Sequence, residues 1–171
     1  MPKKIVSVML WMMFVGYMLI MVTLLLRPDL LLAGGMGVRP VSLVPFATIK
    51  KYMSVRDWDW MRGIAVENLV GNVMVFVPLG LFLGAFRRPK RVWTSLLIVL
   101  VVPVVVECLQ YVFSVGACDV DDVILNFLGG VIGVALYQLV RWLAKEAERA
   151  RAVTAVVLVM LGMMLLVYIS R

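Results

Sequence analysis

The stretch ECLQYVFSVGACDVDDVILNFLGG, running from Glu107 to Gly130, places Glu107, Asp119, Asp121 and Asp122 around the joint between two apolar segments. The segments on either side, Val92 to Phe113 and Val120 to Val140, are each long enough to cross a hydrocarbon core that needs about 20 helical residues. Only the turn from Ser114 to Ala117 separates the first from the polar start of the second. A turn that short makes the two segments an antiparallel helical hairpin whose ends must face each other. Carboxylates are the groups hydrocarbon tolerates least, so four of them at one hairpin end demand a cause.

The rest of the chain has the same character. It is 171 residues long, 64% hydrophobic and only 16% charged, with a mean hydropathy of +1.04. That is more apolar surface than one small soluble core hides. Further apolar runs cover Ile5 to Leu26, Val66 to Phe86 and Ala152 to Ile169. The expected fold class is all-α: a polytopic membrane helix bundle of five transmembrane helices forming a single membrane domain over residues 1–171. The first run follows Lys3 and Lys4, but it exceeds the apolar core of a secretory leader and no small-x-small cleavage site precedes Arg27, so it reads as a retained span.

Basic residues orient the bundle, because short loops rich in Lys and Arg stay cytoplasmic. Lys3 and Lys4 precede the first span; Arg87, Arg88, Lys90 and Arg91 join the second to the third; Arg141, Lys145, Arg149 and Arg151 join the fourth to the fifth. These segments hold ten of the 17 Lys and Arg residues and fall on one side when five spans alternate. The expectation is therefore a bacterial cytoplasmic-membrane protein with its N-terminus cytoplasmic and its C-terminus extracytoplasmic. The outer segment from Arg27 to Ala65 has six basic residues, diluted by Asp29, Asp57 and Asp59. Anionic lipid accounts for the basic pI of about 9.8. Nucleic acid is not expected as a partner, since no soluble basic domain presents such a surface.

With that topology, the polar residues of three spans meet at the outer side. Glu107 and Gln110 share a face of the third span. Asp119, Asp122 and Asn126 follow a three-then-four spacing at the start of the fourth, which leaves Asp121 turned aside. Asn68 and Asn72 align near the start of the second, beside Glu67. The set predicts that Glu107 and Asp122 lie within about one water-bridged contact of each other, with Asn68 or Asn72 completing the shell. Gly129 and Gly133 form a small-xxx-small pair on the fourth span. Gly80 and Gly84 repeat that spacing on the second, where ordinary glycine usage explains them equally well, and Pro78 introduces a kink site whose freed carbonyls need a partner.

The outer segment has its own order. In SLVPFATIKKYM, Pro45 stands where a helix starts, and Phe46, Ile49 and Met53 lie opposite Lys50 and Lys51. This describes a short interfacial helix in the first outer loop, a membrane-hugging connector or a lid over the carboxylates. Trp58 and Trp60 suit an aromatic belt where the second span enters the bilayer.

The blocks N-x-x-x-N-x-x-x-F-x-P-x-G (Asn68, Asn72, Phe76, Pro78, Gly80), E-x-x-Q (Glu107, Gln110) and D-x-D-D-x-x-x-N (Asp119, Asp121, Asp122, Asn126), with SLVPF before them, resemble the VanZ-like family of bacterial membrane proteins. Its founding member is associated with teicoplanin resistance. The resemblance covers about residues 41–137 and leaves 152–169 as an extra transmembrane helix. Together with the five-helix layout, it implies the cell envelope as context and Asn68, Asn72, Phe76, Pro78, Gly80, Glu107, Gln110, Asp119, Asp122 and Asn126 as the family's characteristic positions. One departure stands out. Many relatives have an arginine shortly before the first aspartate of the last block, where this chain has Gly116, Ala117 and Cys118. Lys50, Arg56 or Arg62 would have to supply that cation, or it is absent.

Three readings of the cluster follow. In the first, carboxylates and amides satisfy one another as packing glue, with Asp119 capping the fourth helix. In the second, Asn68, Asn72, Glu107, Gln110, Asp119, Asp122 and Asn126 bind a membrane lipid or lipid-linked envelope precursor and so alter susceptibility to lipophilic glycopeptide-type antibiotics. Such an oxygen-rich set also suits a divalent cation such as magnesium or calcium, for which Glu107, Asp119 and Asp122 are the candidates. In the third, Glu107 or Asp122 serves as acid or base in a carboxylate-dependent membrane enzyme. That third reading lacks support from histidine, from a nucleophile elbow or from a phosphate loop. Cys108 and Cys118 read as small packing residues. A transporter is disfavoured because five helices give no inverted repeat.

Overall fold

The computed structural model describes residues 3–26, 41–54, 59–86 and 92–169. Arg27, Asp29, Arg56, Asp57, Trp58 and the RRPKR turn lie outside the described residues, as do the side chains of Asp59, Trp60 and Arg62. In chain order the elements are α1 (Lys3–Leu26), β1 (Val41–Ser42), α2 (Ala47–Met53), α3 (Asp59–Phe86), α4 (Val92–Phe113), β2 (Cys118–Asp119), α5 (Val120–Ala144) and α6 (Ala147–Ile169). Four stretches, Lys3–Leu26, Val66–Phe86, Val92–Phe113 and Val120–Ala144, are long and apolar enough to cross a membrane. The architecture is thus an all-α membrane helix bundle.

Large apolar side chains point outward along the helices. Val8, Met12, Val15 and Leu19 on α1, and Leu128, Ile132, Leu136, Leu139 and Leu143 on α5, are exposed in stripes of helical period. A soluble protein buries such stripes; hydrocarbon covers them here. The interior is packed on α3 and α5, which run side by side in the same direction. Their backbones touch because glycines remove the side chains between them. A Cβ on Gly129 would lie 2.0 Å from the Val73 carbonyl oxygen, one on Gly133 2.1 Å from the Val77 oxygen, and one on Gly80 2.1 Å from the Gly130 oxygen. On Gly84 it would meet the Tyr137 ring at 2.4 Å. Gly80 and Gly84 are therefore packing residues, like Gly129 and Gly133, and background glycine usage does not explain them. Two clusters flank this seam. One joins Val6, Leu10, Val77, Leu81, Phe82, Tyr137, Ala155 and Leu158 from α1, α3, α5 and α6; the other centres on Met21, Phe76, Leu79, Val99 and Val134.

Polar detail follows the same logic of satisfying backbone groups that water cannot reach. Pro78 leaves the Met74 carbonyl of α3 without its helical donor, and at the next residue the Tyr17 hydroxyl of α1 donates to the Val75 carbonyl at 2.9 Å. The hairpin turn after α4 is a Schellman closure. Ser114 takes a left-handed φ of 56°, its N–H bonds the Tyr111 carbonyl at 3.2 Å, and the Val115 N–H bonds the Gln110 carbonyl at 3.1 Å.

Three features differ from the sequence expectation. α3 begins at Asp59, ahead of Val66, because hydropathy detects only the apolar part of a helix. For the same reason α5 and α6 run to Ala144 and from Ala147, so the basic connection between them is almost wholly helical, with Lys145 turning the chain at φ 58°. Lastly, β1 and β2 pair in parallel, Val41 with Cys118 and Ser42 with Asp119. A two-residue pairing between distant segments has no period to announce it.

Candidate functional site

The loop between α4 and α5 carries the polar cluster, and each carboxylate has a distinct task. Asp119 is the N-cap of α5, with extended backbone and a side chain that accepts from the Asp121 N–H at 2.9 Å. Its other oxygen accepts from the Thr48 hydroxyl at 2.6 Å. The Asp119 N–H in turn donates to Glu107 Oε2 at 3.0 Å, so α4 and the start of α5 are tied through one carboxylate. Glu107 is 4% exposed and faces the bundle, not lipid.

Asp121 is turned aside from the Asp122 face, as the spacing predicts, and it has a task that the spacing does not announce. It is 0% exposed and accepts three backbone bonds, from Phe46 N–H at 2.5 Å on Oδ1 and from Thr48 and Ile49 N–H at 2.8 and 3.0 Å on Oδ2. These are the orphan amides at the start of α2. The residue at that helix's own N-cap, Phe46, has a left-handed φ of 63° and no side chain able to cap. A distant aspartate performs the function, and its charge suits the positive end of the helix. Spacing on α5 put Asp121 off the Asp122 face correctly; nothing in the sequence said what lay on the other side.

The face assigned to Asp119, Asp122 and Asn126 also needs correction. Helical spacing holds only inside a helix, and Asp119 is still extended. It turns to α2, whereas Asp122 turns to α3 and accepts from Asn72 Nδ2 at 2.5 Å. Asn72 also donates to Asn68 at 3.4 Å, which agrees with their four-residue alignment. Asn126, one turn beyond Asp122, is 1% exposed, and its amide oxygen has no hydrogen-bond partner among the described residues. Glu107 and Asp122 belong to one end of the bundle, since Glu107 accepts from the N–H of the Asp119 cap three residues before Asp122.

Gln110 has another role. Its amide donates to the Leu25 carbonyl at 2.7 Å, in the last turn of α1 where helix carbonyls lack partners. Leu25 also lines an apolar cleft of about 240 Å³ between α1 and α4, together with Met21, Val101, Val105, Val106 and Leu109 among others. A larger open hollow, about 620 Å³, lies at the opposite end of α5 among Gln138, Arg141, Trp142, Leu143 and Lys145, far from the carboxylates.

Among the described residues, none of the four carboxylates is in an ion pair, and Lys50 is exposed. The alternative cations Arg56 and Arg62 lie outside the described residues. Also among the described residues, no three acidic, cysteine or histidine side chains are grouped so as to hold a metal ion. Cys108 and Cys118 are free thiols.

An outward-apolar bundle with a buried network of carboxylates and amides at one end defines a multi-pass membrane protein with a polar site where helices meet. The chain belongs to the VanZ/LLP1 family, whose profile matches residues 5–141. It is similar to Protein VanZ of Enterococcus faecium, with 32% identity over 102 residues that cover 60% of this chain and 63% of that protein. The matched stretch thus spans less than two thirds of that relative's length. No solved structure matches the chain.

Proposed function

We propose that this protein binds an envelope lipid or lipid-linked precursor at the outer face of the cytoplasmic membrane and thereby modulates susceptibility to lipophilic glycopeptide-type antibiotics. The observation that carries the reading is the adjacency of two unlike surfaces. The α1/α4 cleft is apolar throughout, and Val106 and Leu109 in its wall directly flank Glu107 and Gln110 in the polar cluster. An amphiphile places a chain against the first and a headgroup against the second. Exposed Leu43, Val44, Phe46 and Met53 around α2 extend the apolar surface beside that cluster, as a segment lying in the headgroup layer does. The antibiotic context rests on the VanZ resemblance.

In this reading α6 is a fifth span. It starts beside the start of α1, where Arg151 donates to the Ser7 hydroxyl at 2.9 Å, and Val153, Val156, Met160 and Met163 repeat the outward apolar stripe. The positive-inside rule then favours an N-terminus in the cytoplasm and a C-terminus outside. Glu107→Gln and Asp122→Asn test the function, since both keep shape and hydrogen-bonding capacity while removing charge. Protection in an antibiotic-susceptibility assay should fall with expression and melting temperature unchanged. Matched losses of protein and of protection would assign the cluster to packing alone.

A further inference from the structure

We infer that the headgroup contact is a primary ammonium, held by Glu107, Asp122 and the amide oxygen of Asn126; this rests on the lipid-binding reading above. The cluster has acceptor capacity beyond the bonds already made. Glu107 has one oxygen engaged by the Asp119 N–H, Asp122 has one engaged by Asn72, and the Asn126 oxygen is buried with no partner among the described residues. A buried acceptor left unmade costs the full desolvation of that group unless something donates to it. Side chains on a helix lean toward its N-terminus, so Asn126 covers the turn that carries Asp122. That puts the Asn126 amide beside the turn of Asp122.

The chemistry of the missing group follows from those acceptors. A bare phosphate meets like charge at Glu107 and Asp122, and among the described residues none of the four carboxylates has an ion-pair partner to offset it. A trimethylammonium group brings charge but no N–H. A primary ammonium brings both, with three donors for three acceptors and a positive charge between Glu107 and Asp122. Access is from the surface, because Asn68 is exposed and Asn72 and Asp122 are half-buried.

The test is equilibrium binding of three chain-labelled lipids to the detergent-solubilised full chain: phosphatidylethanolamine, phosphatidylcholine and phosphatidylglycerol with identical acyl chains. Phosphatidylethanolamine should bind about tenfold tighter than either of the others, the scale of hydrogen bonds to charged groups. Glu107→Gln should bring it close to phosphatidylcholine. Asn126→Leu is the sharper variant, because it removes the unpaired acceptor: phosphatidylethanolamine binding should weaken about threefold or more, while binding of phosphatidylcholine and phosphatidylglycerol, which reports an intact fold, stays unchanged. Equal binding of phosphatidylethanolamine and phosphatidylcholine, tightest binding of phosphatidylglycerol, or an unaltered Asn126→Leu would overturn the ammonium assignment and leave lipid binding standing. No binding of any of the three would remove both.

Discussion

Asp121→Asn isolates the contact that docks α2 on the bundle. In the native chain Oδ1 accepts one backbone N–H and Oδ2 accepts two. The asparagine amide must put its NH2 against one of these sites, so at least one bond is lost and donor faces donor. A hydrogen bond to a charged group contributes about 1.5–3 kcal/mol. Loss of one such bond should weaken the docking of α2 by about 2 kcal/mol, roughly thirtyfold in its opening equilibrium. Asp121→Ala removes all three bonds, but its cost is limited by the docking free energy of the segment, since an undocked α2 returns its amides to water. Hydrogen exchange read at single amides measures this directly. Phe46, Thr48 and Ile49 should exchange roughly thirtyfold faster in Asp121→Asn and at least as fast in Asp121→Ala. Amides of α3 around Phe76, which is fully buried, should keep their protection. Unchanged exchange at Phe46, Thr48 and Ile49 would refute the capping role of Asp121.

Other expectations follow from the packing and the charges. Gly129→Ala and Gly133→Ala should each destabilise the bundle by about 2–3 kcal/mol, because the new Cβ meets backbone oxygen of α3. Gly71→Ala, which meets nothing within 4 Å, should be neutral or slightly stabilising by helix propensity; thermal melting in detergent compares the three. Ser114→Gly should stabilise by about 1 kcal/mol or less, since glycine takes the left-handed turn without a Cβ penalty. For topology, a cysteine at Lys90 in a chain lacking Cys108 and Cys118 should be shielded from impermeant reagent in intact cells, and one at Ser54 should react. The opposite labelling would turn the carboxylate cluster to the cytoplasm.

What could be read from the sequence depended on local period. Hydropathy located the apolar cores of the helices, and four-residue steps paired Asn68 with Asn72 and grouped Gly129 with Gly133. The short turn after Phe113 placed Glu107 beside the start of α5, where its carboxylate does meet the Asp119 N–H. Contacts made across long stretches of chain were not legible. Asp121 binds a helix start more than seventy residues away, and spacing along α5 reports only which way it points. The pairing of Val41 with Cys118 is similarly remote. Gln110 looked like part of the acidic site because it shares a face with Glu107, but a face is wide enough to serve two neighbours, and this amide serves α1. Gly80 and Gly84 were ambiguous because a glycine's importance lies in what approaches it, and that is a property of the partner helix.

The most direct test of lipid binding is native mass spectrometry of the protein purified in mild detergent, wild type beside a Glu107→Gln, Asp122→Asn double variant. The account predicts a lipid adduct of defined mass on the wild type, with most of it lost from a variant that remains folded. A wild type that carries no lipid, or a double variant that retains the same adduct in the same proportion, would contradict it.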